Sequence, residues 1–202
     1  MYLQSGWIEV IVGGMFSGKT EELIRRLHRA ELARIPLQVF KPRIDRRYHD
    51  EYVTSHNKNT YPSRVIDKSH EILDLLSDSS KVIGIDEGQF FDHGLVEVAQ
   101  ILADRGLRVI ISGLDTDWKG QPFEPMPTLM AIAENITKQQ AVCVVCGALA
   151  SRTQRVSEHI SEPASGKADR ILVGAHAHYE ARCRGHFKPE ILQPWALSKI
   201  SN

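Results

Sequence analysis

The chain lacks the features that would place it in a membrane. None of its apolar runs is long enough to span a bilayer. Its opening, MYLQSGWIEVIV, has no basic stretch followed by an apolar core and a cleavage site. These absences predict a cytoplasmic protein with no membrane partner. Net charge is also missing, because 25 Lys and Arg balance 25 Asp and Glu. A protein that grips long nucleic acid by its phosphates usually carries a basic excess. Neutrality therefore counts against a nucleic-acid partner and favours a small anion held by a few placed cations. Cysteine is scarce, with three in 202 residues, and two of them form a C-x-x-C. In a reducing compartment that pattern argues for a metal site rather than a disulfide scaffold. The sequence contains no internal repeat and no low-complexity tract.

What is present suits one compact domain, or one domain with a small appendage. Hydrophobic content of 42% against 25% charged residues is enough for a sizeable core. Residues 7–12, WIEVIV, form a strand-like run that ends at glycine. Residues 20–33 read as a helix, with Leu23, Ile24, Leu27, Ala30 and Leu32 at helical spacing. Residues 36–40 read as a second strand, and the polar stretch 41–62 as a long irregular segment. Residues 64–66, 81–86 and 107–113 are further strands, and 69–76 and 95–105 are helices. Apolar runs alternating with amphipathic helices predict an α/β fold. Its mostly parallel sheet would be flanked by helices, and the glycine segment of residues 11–23 makes it P-loop-like. The texture changes after Thr137. We expect a nucleotide-binding unit over residues 1–137, a small metal-bearing lobe over 138–192 and a tail over 193–202.

The segment IVGGMFSGKTEEL, residues 11–23, places Gly13 four residues before Gly18-Lys19-Thr20. This is the spacing of a phosphate-binding loop, and it lies between a strand and a helix as that motif requires. Glycine lets the backbone wrap closely round phosphate oxygens, so that N–H groups and the helix N-terminus face the anion. Gly13, Gly14, Met15, Phe16, Ser17 and Gly18 would form the cradle. Lys19 would reach the β- and γ-phosphates, and Thr20 would offer its hydroxyl to Mg²⁺. The matching acid is in KVIGIDEGQFF: Asp86 ends a buried strand, where a parallel sheet presents its ligands. Glu87 follows. It is either a solvated carboxylate at a strand end or a base able to take a proton from an attacking hydroxyl. The run Asp45-Arg46-Arg47-Tyr48 is either a solvated charged stretch or the source of an arginine for a transferring phosphoryl group. Of Phe90 and Phe91, one belongs in the core and the other is available to stack on a base.

Cys143-Val-Val-Cys146 and Cys183-Arg-Gly-His186 form two knuckles. Together they offer four sulfur and nitrogen ligands, enough for a closed tetrahedral zinc site. His176 and His178 compete with His186 for the fourth place, but only His186 reproduces the knuckle spacing. Such a site would staple the ends of a long loop and, having no open position, would take no part in chemistry.

These segments, with GLDTDWKGQPF and HYEARCRGHF, occur in an order that resembles the thymidine kinases found in many bacteria and in the animal cytosol. The resemblance runs over nearly the whole chain. It implies ATP-dependent phosphorylation of thymidine, and also of deoxyuridine, at the 5′-hydroxyl, a salvage step for DNA synthesis. It implies Glu87 as the catalytic base, Asp86 and Thr20 on the magnesium side and Arg47 facing the phosphates. It implies a nucleoside pocket formed by Met15, Phe90, Leu114, Trp118, Phe123 and Thr153. Leu172, Gly174 and Tyr179 would come from a lasso loop over residues 148–182, held at its base by structural Zn²⁺. It further implies a homotetramer inhibited by thymidine triphosphate (dTTP). Three positions depart from the family pattern. Gly14 stands where many relatives have proline, which predicts a looser loop. Trp118 stands in place of phenylalanine, which predicts a tighter or shifted pocket. His186 replaces a cysteine found in some relatives. A different deoxynucleoside as acceptor, or a nucleic-acid-dependent ATPase, are the rival readings.

Overall fold

Strands rich in Val and Ile form the centre of the molecule. The computed structural model describes residues 6–43, 52–54, 60–156 and 179–189. In chain order the elements are β1 (Trp7–Val12), α1 (Lys19–Leu32), β2 (Leu37–Pro42), β3 (Tyr52–Thr54), β4 (Thr60–Pro62), β5 (Arg64–Ile66), α2 (Glu71–Asp74) and β6 (Val82–Ile85). They continue with α3 (Leu95–Asp104), β7 (Arg108–Gly113), α4 (Met126–Ile132), β8 (Asn135–Lys138), β9 (Ala141–Val142), β10 (Leu149–Ala150), β11 (Arg152–Arg155) and β12 (Tyr179–Arg182).

Six strands pair in the order β5-β2-β6-β7-β1-β8, every neighbouring pair parallel. Side chains alternate across a strand, and here the alternation divides the core in two. Ile8, Val10 and Val12 of β1, Ile83 and Ile85 of β6, and Val109 and Ile111 of β7 pack with α2, α3 and α4. Ile11, Val82 and Ile110 face the other way, onto Leu23, Ile24, Leu27 and Ala30 of α1, whereas Leu32, the last residue of that helix, has run past the sheet and is 84% exposed. Burying each of these large side chains contributes about 1.5–3 kcal/mol. Gly84 lets α1 approach the sheet closely, since a Cβ there would lie 2.9 Å from a Leu27 methyl carbon.

Several boundaries differ from the sequence reading for identifiable reasons. The helix expected over residues 69–76 is confined to Glu71–Asp74. Glu71 Oε1 accepts the N–H groups of Asp67 and Lys68 at its start. At its end Gln38 of β2 takes the Leu75 carbonyl and the Ser77 N–H. Within the polar stretch 41–62, β3 and β4 form an antiparallel pair. Val53 and Tyr61 from this pair are buried against the α1 side of the sheet. Helix α4 is seven residues long and begins with proline in its first turn. That is too short to show a repeating apolar stripe.

β8 extends the main sheet to Lys138, and Gln139 N–H continues onto the Val12 carbonyl at 2.7 Å. Beyond it, β9 pairs with β10 and β11 with β12, both antiparallel. Val144 N–H donates to the Ala181 carbonyl and ties the two small sheets together. No helix among the described residues is long and apolar enough to cross a membrane.

Candidate active site

The glycine loop leaves the C-terminal end of β1 and enters α1 at Lys19. Gly13 has φ 151°, and a Cβ there would meet the Gln139 carbonyl oxygen at 2.4 Å, so any side chain would force the loop from β8. Gly18 caps α1 in the left-handed region at φ 82°, where glycine carries no Cβ penalty. Phe16, which is not a glycine, is also left-handed, at φ 65°. That conformation costs on the order of 1 kcal/mol. Its ring packs against Ala141, Cys143, Ala150 and Ala181 of the small lobe, which holds it there.

The loop is braced from within and from outside. The Gly14 carbonyl accepts bonds from Ser17 Oγ and Lys19 Nζ, both at 2.8 Å. Met15 N–H donates to Thr153 Oγ1 of β11 at 2.9 Å. A Cβ on Gly14 would lie 3.3 Å from the same Thr153 oxygen. Gly14 is thus held by bonds from Ser17 in the loop and Lys19 of α1, and its neighbour Met15 by Thr153 of β11.

Asp86 follows β6 and is buried. One of its oxygens accepts a short bond from Ser112 Oγ of β7, and the other lies 3.5 Å from Thr20 Oγ1. A buried carboxylate facing two hydroxyls is a donor set suited to a hard divalent cation. Glu87, half-buried, adopts φ 52° and ψ 44°, left-handed like Phe16 and like Arg34 just past the end of α1. The chain then enters a single 3-10 turn, Gly88–Phe90. Gln89 within that turn is 3% exposed and donates to Glu87 Oε2. Its oxygen accepts the Leu114 N–H at 2.8 Å. The loop, the acid pair and Leu114 thus emerge from β1, β6 and β7, and β7 lies between the other two strands in the sheet. In parallel α/β sheets the carboxyl ends of the strands are where ligands bind.

Aromatic side chains stand beside this edge. Phe90 and Phe123 make an edge-on contact with ring centroids 6.3 Å apart. Trp118 is buried between two cations, with Lys119 Nζ 4.8 Å and Arg155 Cζ 4.9 Å from its ring centre. Trp118 is thus fixed to β11, a consequence of the larger ring that a phenylalanine would reproduce less well. Tyr179 is buried at the start of β12, opposite Arg155. Arg47, Leu172 and Gly174 lie outside the described residues. The sequence reading missed two polar members of the cluster, Ser112 and Gln89. Each had a signal. Ser112 is a lone hydroxyl at the end of the apolar run RVIISG, and Gln89 is the amide inside the acid motif.

In the small lobe, Cys143, Cys146, Cys183 and His186 place one ligand atom each within 4.8 Å of one another. Sulfur atoms of Cys146 and Cys183 are 3.8 Å apart, and His186 Nδ1 lies 3.8 Å from Cys143 Sγ and 3.2 Å from Cys183 Sγ. Tetrahedral zinc with sulfur at ~2.3 Å puts its ligand atoms about 3.5–3.8 Å apart. Two of these three separations match, and three sulfurs with one imidazole are a donor set that could hold such an ion. Burial pushes the Cys143 thiol up, but backbone N–H groups of Cys183, Val145 and Cys146 outweigh it and bring it down to about 6. Thiolate, the form that ligates metal, is thereby favoured.

The family model for thymidine kinase matches residues 6–187. The chain belongs to the thymidine kinase family. A protein named thymidine kinase from Bdellovibrio bacteriovorus is 62% identical over 197 residues, covering 96% of this chain and 93% of its own length. Another of the same name, from a Rhodothermus species (strain ITI 518), is 53% identical over 184 residues, covering 91% of this chain and 82% of its own. Thymidine kinases are phosphotransferases, so the glycine loop and the acid pair described above belong to a phosphoryl-transfer enzyme.

Proposed function

We propose that the enzyme transfers the γ-phosphoryl group of ATP to the 5′-hydroxyl of thymidine, with deoxyuridine as a weaker acceptor, giving the nucleoside monophosphate. The observation that carries this reading is one cluster. A glycine loop with Lys19 and Thr20 at its helix end shares the carboxyl edge of the sheet with the adjacent acids Asp86 and Glu87. One acid is buried among hydroxyls, and the other is half-buried and accepts a bond from Gln89.

Residues Gly13 to Gly18 cradle the phosphates with backbone N–H groups, and Lys19 reaches the terminal ones. Thr20 and Asp86 are the residues suited to hold Mg²⁺, which when bound neutralises phosphate charge. Glu87 accepts the proton of the 5′-hydroxyl as its oxygen attacks the γ-phosphorus in line. Arg47 and the loop N–H groups stabilise the charge that develops. The nucleoside lies among Met15, Phe90, Leu114, Trp118, Phe123, Thr153 and Tyr179, with Leu172 and Gly174 closing from the lasso. Closure excludes water, which would otherwise take the phosphoryl group.

Zinc on Cys143, Cys146, Cys183 and His186 is structural in this reading and fixes the base of the lasso. We read residues 1–137 as the nucleotide-binding unit and 138–192 as the zinc-bearing lobe, followed by a tail. We further propose a cytoplasmic homotetramer subject to inhibition by dTTP, with no nucleic-acid or membrane partner. The test of the base is Glu87→Gln. It should lower kcat by about 10²–10⁴-fold while the ATP affinity stays within about twofold of the parent. Retained turnover in that variant would remove Glu87 from the role.

A further inference from the structure

Gln89 has no role in the scheme above, yet it is a buried polar side chain bonded directly to Glu87. It is 3% exposed and bridges two elements. Its Nε2 donates to Glu87 Oε2 at 2.5 Å, and its Oε1 accepts the Leu114 N–H at 2.8 Å. Only one orientation of the amide serves both partners, since a carboxylate needs a donor and an N–H needs an acceptor. The surroundings leave the side chain little freedom. A Cβ on Gly113 would lie 2.7 Å from Gln89 Oε1 and 2.7 Å from Met126 Sδ. A Cβ on Gly88 would lie 2.9 Å from the same sulfur. Both glycines thus allow Met126 and the turn to close round the amide.

We propose that Gln89 is a positioning residue for the phosphoryl-transfer reaction: its amide holds the Glu87 carboxylate and ties it to the backbone at Leu114, where the nucleoside pocket begins. The proposal rests on the reading of Glu87 as the base. Donation from Nε2 favours the ionised carboxylate, the form able to accept a proton. The other half of the bridge registers that carboxylate against the strand end that contacts the nucleoside. A base and an acceptor pocket held by one rigid amide stay aligned to within the few tenths of an ångström that proton transfer needs.

The test is a cycle built on Gln89→Glu, which keeps volume and an acceptor for the Leu114 N–H but loses the donor. A second carboxylate beside Glu87 favours the protonated base. The acid limb of the kcat/KM profile for thymidine should therefore move up by about one pH unit or more. The kcat at pH 7 should fall about tenfold or more, while the KM for ATP changes less than about twofold. The double variant Glu87→Gln with Gln89→Glu should be no slower than Glu87→Gln alone, because Gln89 acts only through that residue. Gln89→Asn, one methylene too short to span both partners, repeats the kcat measurement if Gln89→Glu does not fold. An unmoved acid limb with normal kcat would overturn the proposal. So would losses that multiply in the double variant, while leaving Glu87 as base. Full activity in Glu87→Gln alone would overturn both readings.

Discussion

Replacing Thr153 by valine tests whether the small lobe sets the shape of the phosphate loop. The Thr153 side chain is 3% exposed, and its hydroxyl accepts the Met15 N–H at 2.9 Å. Valine matches its shape but offers no acceptor. Leaving a buried N–H without a partner costs about 1–3 kcal/mol. Met15 is half-buried, so water compensates part of the loss and the lower half of that range applies, about 1–2 kcal/mol. If the bond selects the loop geometry that binds phosphate, the cost lowers the population of that geometry. ATP affinity then falls by up to about 5–30-fold. Thr153→Ser keeps the hydroxyl and should bind ATP within about threefold of the parent. The assay is titration of each variant with a non-hydrolysable ATP analogue, with the thymidine KM read in parallel. Parent-like ATP affinity in Thr153→Val would refute the reasoning and leave the Met15–Thr153 bond as a contact without mechanical consequence.

Removing the metal with a chelator, or substituting Cys146→Ser, should release one zinc ion per chain by elemental analysis. It should lower Tm by at least about 5 °C. An unchanged Tm after complete zinc loss would exclude the staple role. Glu22→Gln tests an electrostatic contribution on α1. The Arg25 guanidinium, with help from Arg26, lowers the Glu22 carboxyl from 4.5 to about 2 against a smaller opposing effect of burial. A carboxylate lowered on folding stabilises the protein above its unfolded value and loses that contribution as pH falls through the folded one. Parent and variant should therefore differ by about 1 kcal/mol at pH 7. That difference should shrink between pH 4.5 and about 2, measured by urea unfolding at several pH values. A pH-independent difference would assign the effect to packing instead.

The parts of this molecule that were legible in sequence obey local rules. The apolar runs VIGI and RVIISG and the stripe of Leu23, Ile24, Leu27 and Ala30 announce a parallel sheet with a helix on it. The loop spacing and the two knuckles are local in the same sense, since each places its ligands within a few residues. What was not legible depends on contacts between distant segments. The length of α2 is set by Gln38, 33 residues before its first residue. Val53 and Tyr61 are core residues of a hairpin set in an otherwise polar stretch. Phe16 and Glu87 adopt left-handed backbone conformations that no propensity would assign to them. Both sit beside the candidate chemistry, where local preference is expected to yield to function. The bracing of the loop by Thr153 spans 138 residues of sequence. The family pattern pointed to that threonine, but not to its bond with Met15.

The most direct test follows the phosphorus atom. ATP labelled at the γ-phosphate is incubated with the enzyme, Mg²⁺ and one addition at a time: thymidine, deoxyuridine, a purine deoxynucleoside, single-stranded DNA, or none. The account predicts label in thymidine 5′-monophosphate, less in the deoxyuridine product, and none with purines or DNA. Label released as inorganic phosphate, with DNA or with no addition, would contradict it and leave the loop serving an ATPase.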